Sequence, residues 1–153
     1  MRTYRKYKEI EDSVFQALDL QGIVLETKSP VASSPLDNSQ IEHYSEAIEL
    51  LMNEKKLYID PELSLKQLAA HVGLHANKLS WLLNNHFGNN FNDFINRFRI
   101  MEFQKMAIDP ANKNLTLLGL AYDSGFNSKT VFNTFFKKET GMTPKQWVKQ
   151  NTT

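Results

Sequence analysis

The chain has 153 residues, 41% hydrophobic and 23% charged, which suits one compact domain or two small subdomains of a globular protein. It contains no cysteine, which excludes a disulfide framework, a thiolate metal site and a cysteine nucleophile. No apolar run approaches the roughly 18 residues that cross a bilayer, and the basic start from Arg2 to Lys8 lacks the apolar stretch of a signal peptide. The composition therefore points to a reducing, cytoplasmic compartment.

The net charge of +1 conceals an uneven distribution. Residues 41–62 carry two Lys/Arg and six Asp/Glu, a net −4. Residues 63–107 carry five against two, a net +3, and residues 112–153 carry six against two, a net +4. Two basic segments thus follow an acidic one, and a polyanion partner is compatible with the neutral total.

Residues 1–40 read as a largely irregular tail or linker. A short helix is predicted over residues 10–20, with Ile10, Val14, Ala17 and Leu18 on one face, before a stretch holding Pro30, Pro35 and four serines. Helical punctuation begins at Ser39, where Ser39 and Glu42 form a capping-box pattern. Behind it Ile41, Tyr44, Ile48, Leu51 and Met52 recur at helical spacing. Ser64 and Gln67 repeat the capping pattern, with Leu63 and Leu68 as a hydrophobic staple. Leu65, Leu68, Ala69 and Val72 make that helix's inner face, and Gly73 falls where a helix-ending glycine belongs. Leu79, Leu82 and Leu83 mark a further helix before Gly88, and a longer one is predicted from about Asn92 to Ala107. Alternating apolar runs are missing, so the expected fold is all-α.

The pattern then repeats. Leu68-Ala69-x3-Gly73-Leu74 matches Leu120-Ala121-x3-Gly125-Phe126, 52 residues on, and Gly88-x5-Phe94 matches Gly141-x5-Trp147 after a one-residue length difference. A helix, a turn opened by glycine and a second amphipathic helix describe a helix-turn-helix. In the second copy Phe126 is expected under the turn, with Asn127 or Ser128 capping the next helix. Val131, Phe132, Phe135 and Phe136 are predicted to face inward, and Lys129, Thr130, Asn133, Thr134, Lys137 and Lys138 outward. The outward positions of the first copy are Asn77, Lys78, Ser80, Trp81, Asn84 and Asn85. Such faces offer amides and hydroxyls for base edges and ammonium groups for phosphates. They are also what any surface helix shows. A joining helix of about 16 residues spans roughly 24 Å, which with the width of two subdomains approaches the ~34 Å between successive major-groove faces.

Gly125-Phe126-Asn127-Ser128-Lys129, followed by Phe132-x3-Phe136-Lys137-Lys138-x2-Gly141-x-Thr143-Pro144-x2-Trp147, resembles the signature of the AraC/XylS family of transcription regulators. The resemblance covers about 110 of the 153 residues. It implies two helix-turn-helix subdomains (residues 41–90 and 112–150) joined by a long linker helix (91–108), within a DNA-binding domain over 41–153. Recognition helices at about 76–85 and 129–138 would enter adjacent major-groove segments. His75, Trp81, Thr134 and Phe103 depart from the family's usual residues. The segment Glu54 to Pro61 is similar to a subgroup found C-terminal to membrane-embedded sensor segments; the basic N-terminus fits that position and equally fits an ordinary charged tail.

The expected function is sequence-specific binding of double-stranded DNA in transcription regulation, without catalysis. Base readers would be Asn77, Ser80, Trp81, Thr130, Asn133 and Thr134, and phosphate ligands Lys78, Lys129, Lys137, Lys138 and Lys145. RNA polymerase is a further candidate partner, and an upstream membrane sensor in a longer parent protein another. A helical protein-interaction module that has lost DNA binding is the alternative, favoured by Trp81 and the acidic segment. His71 and His75 are four apart but separated by Gly73, and no metal or other cofactor is expected. Arg97 and Arg99 are assigned either to phosphates or to internal pairing with Glu102 or Asp93.

Overall fold

The computed structural model describes residues 34–152; the helix expected over residues 10–20 lies outside them. Among the described residues the chain is all-α: seven α-helices and two short 3-10 turns, with no strand. We number the helices α1 (Asn38–Asn53), α2 (Leu65–Val72), α3 (Ala76–Asn85), α4 (Phe91–Ala107), α5 (Leu117–Asp123), α6 (Lys129–Thr140) and α7 (Pro144–Asn151).

The start of α1 corrects the expected Ser39–Glu42 box. Asp37 Oδ1 accepts from the Gln40 amide at 2.8 Å and from Ser39 Oγ at 2.7 Å, while Gln40 Oε1 accepts from the Asp37 amide at 3.0 Å. The reciprocal pair sits two residues earlier because a carboxylate is the stronger acceptor, and the Ser39 hydroxyl becomes a donor to it. Those bonds, from Ser39 first and then the Gln40 amide, hold the Asp37 carboxyl below its usual range. Leu36, placed by sequence in the tail, is buried.

The chain divides into two compact units. Unit 1 holds the described residues up to Glu49 together with Leu65–Phe91. Its interior is Leu36, Ile48, Leu68, Ala69, Leu79, Leu82, Leu83 and Phe87. α2 and α3 pack together here. Between them Gly73 takes φ +78°, and the Gly73 and Leu74 amides both donate to the Ala69 carbonyl. That left-handed step is the helix ending a glycine permits.

Unit 2 holds Leu50–Ser64 and everything from Asn92 on. Its core is Ile100, Phe103, Leu120, Ala121, Phe126, Phe132, Phe135 and Phe136. Phe103, where the family usually has a small residue, lies 4.8 Å from the Phe132 ring and 5.4 Å from Phe136. The linker helix is therefore no bare spacer, since from Asn92 onward it is part of this unit. The expected first subdomain of residues 41–90 likewise loses residues 50–64 to unit 2.

The cause is Arg99. Its Nε donates to the Tyr58 carbonyl at 2.7 Å, Nη2 to the Asp60 carbonyl at 2.9 Å and Nη1 to Asn96 Oδ1 at 3.1 Å. Burial lowers its pKa, opposed by the charge of Asp60. Tyr58 stacks on Phe98 at 5.6 Å and donates its hydroxyl to Glu102, which also receives Lys56. Arg99 thus faces carbonyls, not phosphate, and the expected ion pairs are rearranged. Glu102 pairs with Lys56, Asp93 with Lys138 at 3.3 Å, and Arg97 with Glu139 at 3.2 Å. All join segments distant in sequence, which helical spacing does not reveal.

Candidate nucleic-acid interface

In unit 2, α5 and α6 meet across Gly125 and Phe126. Gly125 has φ +112°, and a Cβ there would sit 2.1 Å from the Tyr58 carbonyl oxygen and 2.7 Å from Arg99 Nε. Phe126 is buried beneath the turn, with the Arg99 guanidinium 5.9 Å from its ring centre. Ser128 caps α6, its Oγ accepting from the Val131 amide at 3.2 Å. Gly141, at φ +77°, ends the helix, and Thr143 with Gln146 forms a reciprocal capping box that starts α7 at Pro144.

Burial of Phe132, Phe135 and Phe136 turns the opposite side of α6 to solvent, and Lys129, Thr130, Asn133, Thr134, Lys137 and Lys138 are all exposed. Lys138 combines exposure with its ion pair to Asp93 and a position 5.8 Å from the Phe135 ring. Lys145, on α7, is exposed and borders a shallow groove of about 230 Å³ with Lys129 and Asn133; Leu117, Leu118, Phe132 and Pro144 line it. Val131 does not face inward: it is 47% exposed. It lies at the edge of the buried arc in the first helical turn, where no preceding turn covers it.

In unit 1 the face of α3 is less open. Asn77, Asn84 and Asn85 are exposed, whereas Lys78, Ser80 and Trp81 are half-buried. Asn84 Nδ2 donates to the Ser80 carbonyl and Asn85 Nδ2 to the Trp81 carbonyl, both at 2.8 Å. These two amides are committed to their own helix. His75 occupies the position before α3 and makes no side-chain cap bond. His71 lies on α2 across the Gly73 turn, and among the described residues no cluster of His, Cys, Asp and Glu suits a metal ion.

Aligning the two copies by their buried residues pairs Leu79, Leu82 and Leu83 with Phe132, Phe135 and Phe136, 53 positions on, whereas the glycines are 52 apart. The extra residue therefore sits in the second turn, which runs Phe126-Asn127-Ser128 where the first has Leu74-His75. With that correction Asn77, Ser80 and Trp81 stand opposite Thr130, Asn133 and Thr134, the same three positions of each second helix. Lys66 was not among the residues singled out in the sequence. It borders a groove of about 540 Å³ with His75, Ala76 and Asn77. The 52-residue repeat held the signal, since it pairs Lys66 with Leu118, which lines the groove of the other copy.

A family profile described as "Helix-turn-helix domain" matches residues 68–150. The chain is 32% identical over 92 residues to an uncharacterised HTH-type transcriptional regulator of Staphylococcus aureus strain COL, covering 60% of this chain and 12% of that protein. It thus spans about an eighth of the length of such relatives. Among solved structures, it is similar to the C-terminal domain of the two-component response regulator yesN of Fusobacterium nucleatum: TM-score 0.58, 26% identity, 68% of this chain and 96% of that one. The C-terminal domain of AraT, a response regulator from Geobacillus stearothermophilus, shares the fold with TM-score 0.59 at 20% identity, covering 76% and 88%. No helix among the described residues is long and apolar enough to cross a membrane. With two glycine-hinged helix pairs in register and a family profile over more than half its length, the chain belongs to the AraC/XylS family of helix-turn-helix transcription regulators.

Proposed function

We propose that the chain is a sequence-specific double-stranded-DNA-binding module of a transcription regulator, placing α3 and α6 in adjacent major-groove segments. The observation that carries this reading is the face of α6. Thr130, Asn133 and Thr134 stand open between Lys129 and Lys137 on a helix whose opposite side is fixed by three buried phenylalanines. Amide and hydroxyl groups of this kind select base edges, and the flanking ammonium groups neutralise phosphates. On α3 the corresponding readers are Asn77, Ser80 and Trp81, with Lys78 on phosphate; Lys137, Lys138, Lys129 and Lys145 serve the second unit. Joining two short readers in one chain raises affinity through effective concentration. In a longer parent protein an upstream sensor segment would supply the signal and RNA polymerase would receive the output; both belong to this proposal.

Selection of the full chain on random duplexes at two salt concentrations tests it. Enrichment of a bipartite site with half-elements about one helical turn apart is the expected result. Lys137→Glu then weakens binding to every duplex, while Asn133→Ala mainly relaxes sequence choice. Uniform retention of all sequences with a steep salt slope would leave a basic surface without base readout. Absence of retention at either salt would favour the protein-interaction reading, to which the half-buried Trp81 and the acidic residues 41–62 would then belong.

A further inference from the structure

Val131 is an apolar side chain left 47% exposed on the helix that otherwise presents threonine, asparagine, lysine and glutamate to solvent. It is the third residue of α6, within the N-terminal part that a recognition helix brings to base edges. At 3.6 residues per turn it stands about 60° round the helix from Thr134, flanking the proposed reading face. A valine side chain neither donates nor accepts a hydrogen bond. The one apolar group that B-DNA displays in its major groove is the 5-methyl of thymine. The equivalent third residue of α3 is Lys78, so the two units differ in chemistry at this position.

We infer that Val131 selects a thymine in the half-site read by unit 2, by packing against its 5-methyl group. This rests on the DNA-binding reading above and adds to it a residue outside the hydrogen-bonding set. Lys78, a cation at the equivalent place, confers no such preference on the other half-site.

The test uses the full chain and its selected duplex, with each thymine in turn replaced by deoxyuridine, which keeps every hydrogen-bonding group and lacks only the methyl. One such replacement, within the unit 2 half-site, is expected to weaken the wild-type protein about fourfold, the effect of one buried methyl-sized group. The same replacement leaves Val131→Ala unaffected, because that variant has already lost the contact; its helical circular dichroism confirms that it is folded. Indifference of the wild-type protein to every methyl removal, or an equal loss in Val131→Ala, overturns the inference while leaving sequence-specific binding in place. Failure of the wild-type protein to bind any duplex overturns the DNA reading and this inference with it.

Discussion

The two helix-turn-helix copies place equivalent residues in equivalent positions yet hold their turns by different means. In the first, Gly73 takes its left-handed backbone with nothing within 4 Å of where a Cβ would be. In the second, Gly125 lies against the Tyr58 carbonyl and the Arg99 side chain, and the turn is one residue longer. The second reading helix is capped by Ser128; the first follows His75 without a side-chain cap. At the first turn glycine therefore meets a conformational need alone, and at the second it also leaves room for a packed polar centre. Identical substitutions should then have unequal consequences, and the two tryptophans, Trp81 in unit 1 and Trp147 in unit 2, allow each unit's unfolding to be followed separately.

The sharpest test substitutes alanine at both glycines. Gly125→Ala must force apart the Tyr58 backbone and Arg99 as well as bear the left-handed conformation, and should cost unit 2 roughly 4 kcal/mol or more. Gly73→Ala bears only the conformational term, about 1–2 kcal/mol. Urea denaturation read by Trp147 fluorescence in a Trp81→Phe background, and the reverse for unit 1, measures both. Equal losses would mean that the contact beneath Gly125 is dispensable and the contrast between the turns unfounded.

Arg99 comes next. Replacing it with methionine keeps much of its volume but leaves the Tyr58 and Asp60 carbonyls without their guanidinium donor, an expected loss of roughly 2–4 kcal/mol in unit 2. Arg99→Lys should recover only part of this, because one ammonium cannot reproduce a planar fork that reaches three acceptors. The same denaturation curves decide it. A lysine variant as stable as the wild type would show that charge, not geometry, holds residues 57–60 in place.

These two residues also mark where reading the chain in one dimension stops. The all-α class, the repeated glycines and a cap at Asn127 or Ser128 were legible because they arise from local spacing and short-range hydrogen bonds, and the bounds of α3 because the family resemblance implies them. The role of Arg99 was not, since two of its three partners are 39 and 41 residues away and are backbone carbonyls, which carry no side-chain identity to recognise. Val131 was misplaced for a related reason: helical spacing locates the centre of a buried arc well and its edges poorly. Among the proposed site residues, the openness of α6 followed from its amphipathic pattern. The partial burial of Ser80 and Trp81, and the folding of Asn84 and Asn85 onto their own helix, depended on packing that the pattern does not contain.

Caps provide a smaller effect with opposite signs in the two copies. Ser128→Ala removes the acceptor of the Val131 amide and should destabilise unit 2 by about 1 kcal/mol. His75→Ser supplies an acceptor where none acts now and should stabilise unit 1 by ~0.5–1 kcal/mol. Thermal melts read by the unit-specific tryptophans should move down in the first variant and up in the second. A downward shift for His75→Ser would mean that the imidazole contributes something other than capping.

The effect of Tyr58 at neutral pH is of the same size as that of the caps, and it grows with alkalinity. Burial raises its phenol pKa, reinforced by the negative charge of Glu102 and the hydrogen bond to it. A group whose pKa is raised by folding contributes stability that is complete below its unfolded pKa, about 10 for tyrosine, and lost as pH climbs through the folded value. Unit 2 should accordingly weaken above about pH 10, as the unfolded chain ionises Tyr58 and the folded chain resists doing so. Tyr58→Phe removes the hydroxyl, costs about 1 kcal/mol at pH 7, and should flatten the alkaline decline of unit 2. Tyrosinate absorbance offers an independent reading, since one of the five tyrosines should ionise late, in step with the unfolding reported by Trp147. Unit 1 lacks this network, so a decline of equal steepness in the Trp81 signal would assign the alkaline transition to general charge repulsion and remove Tyr58 from the difference between the two units.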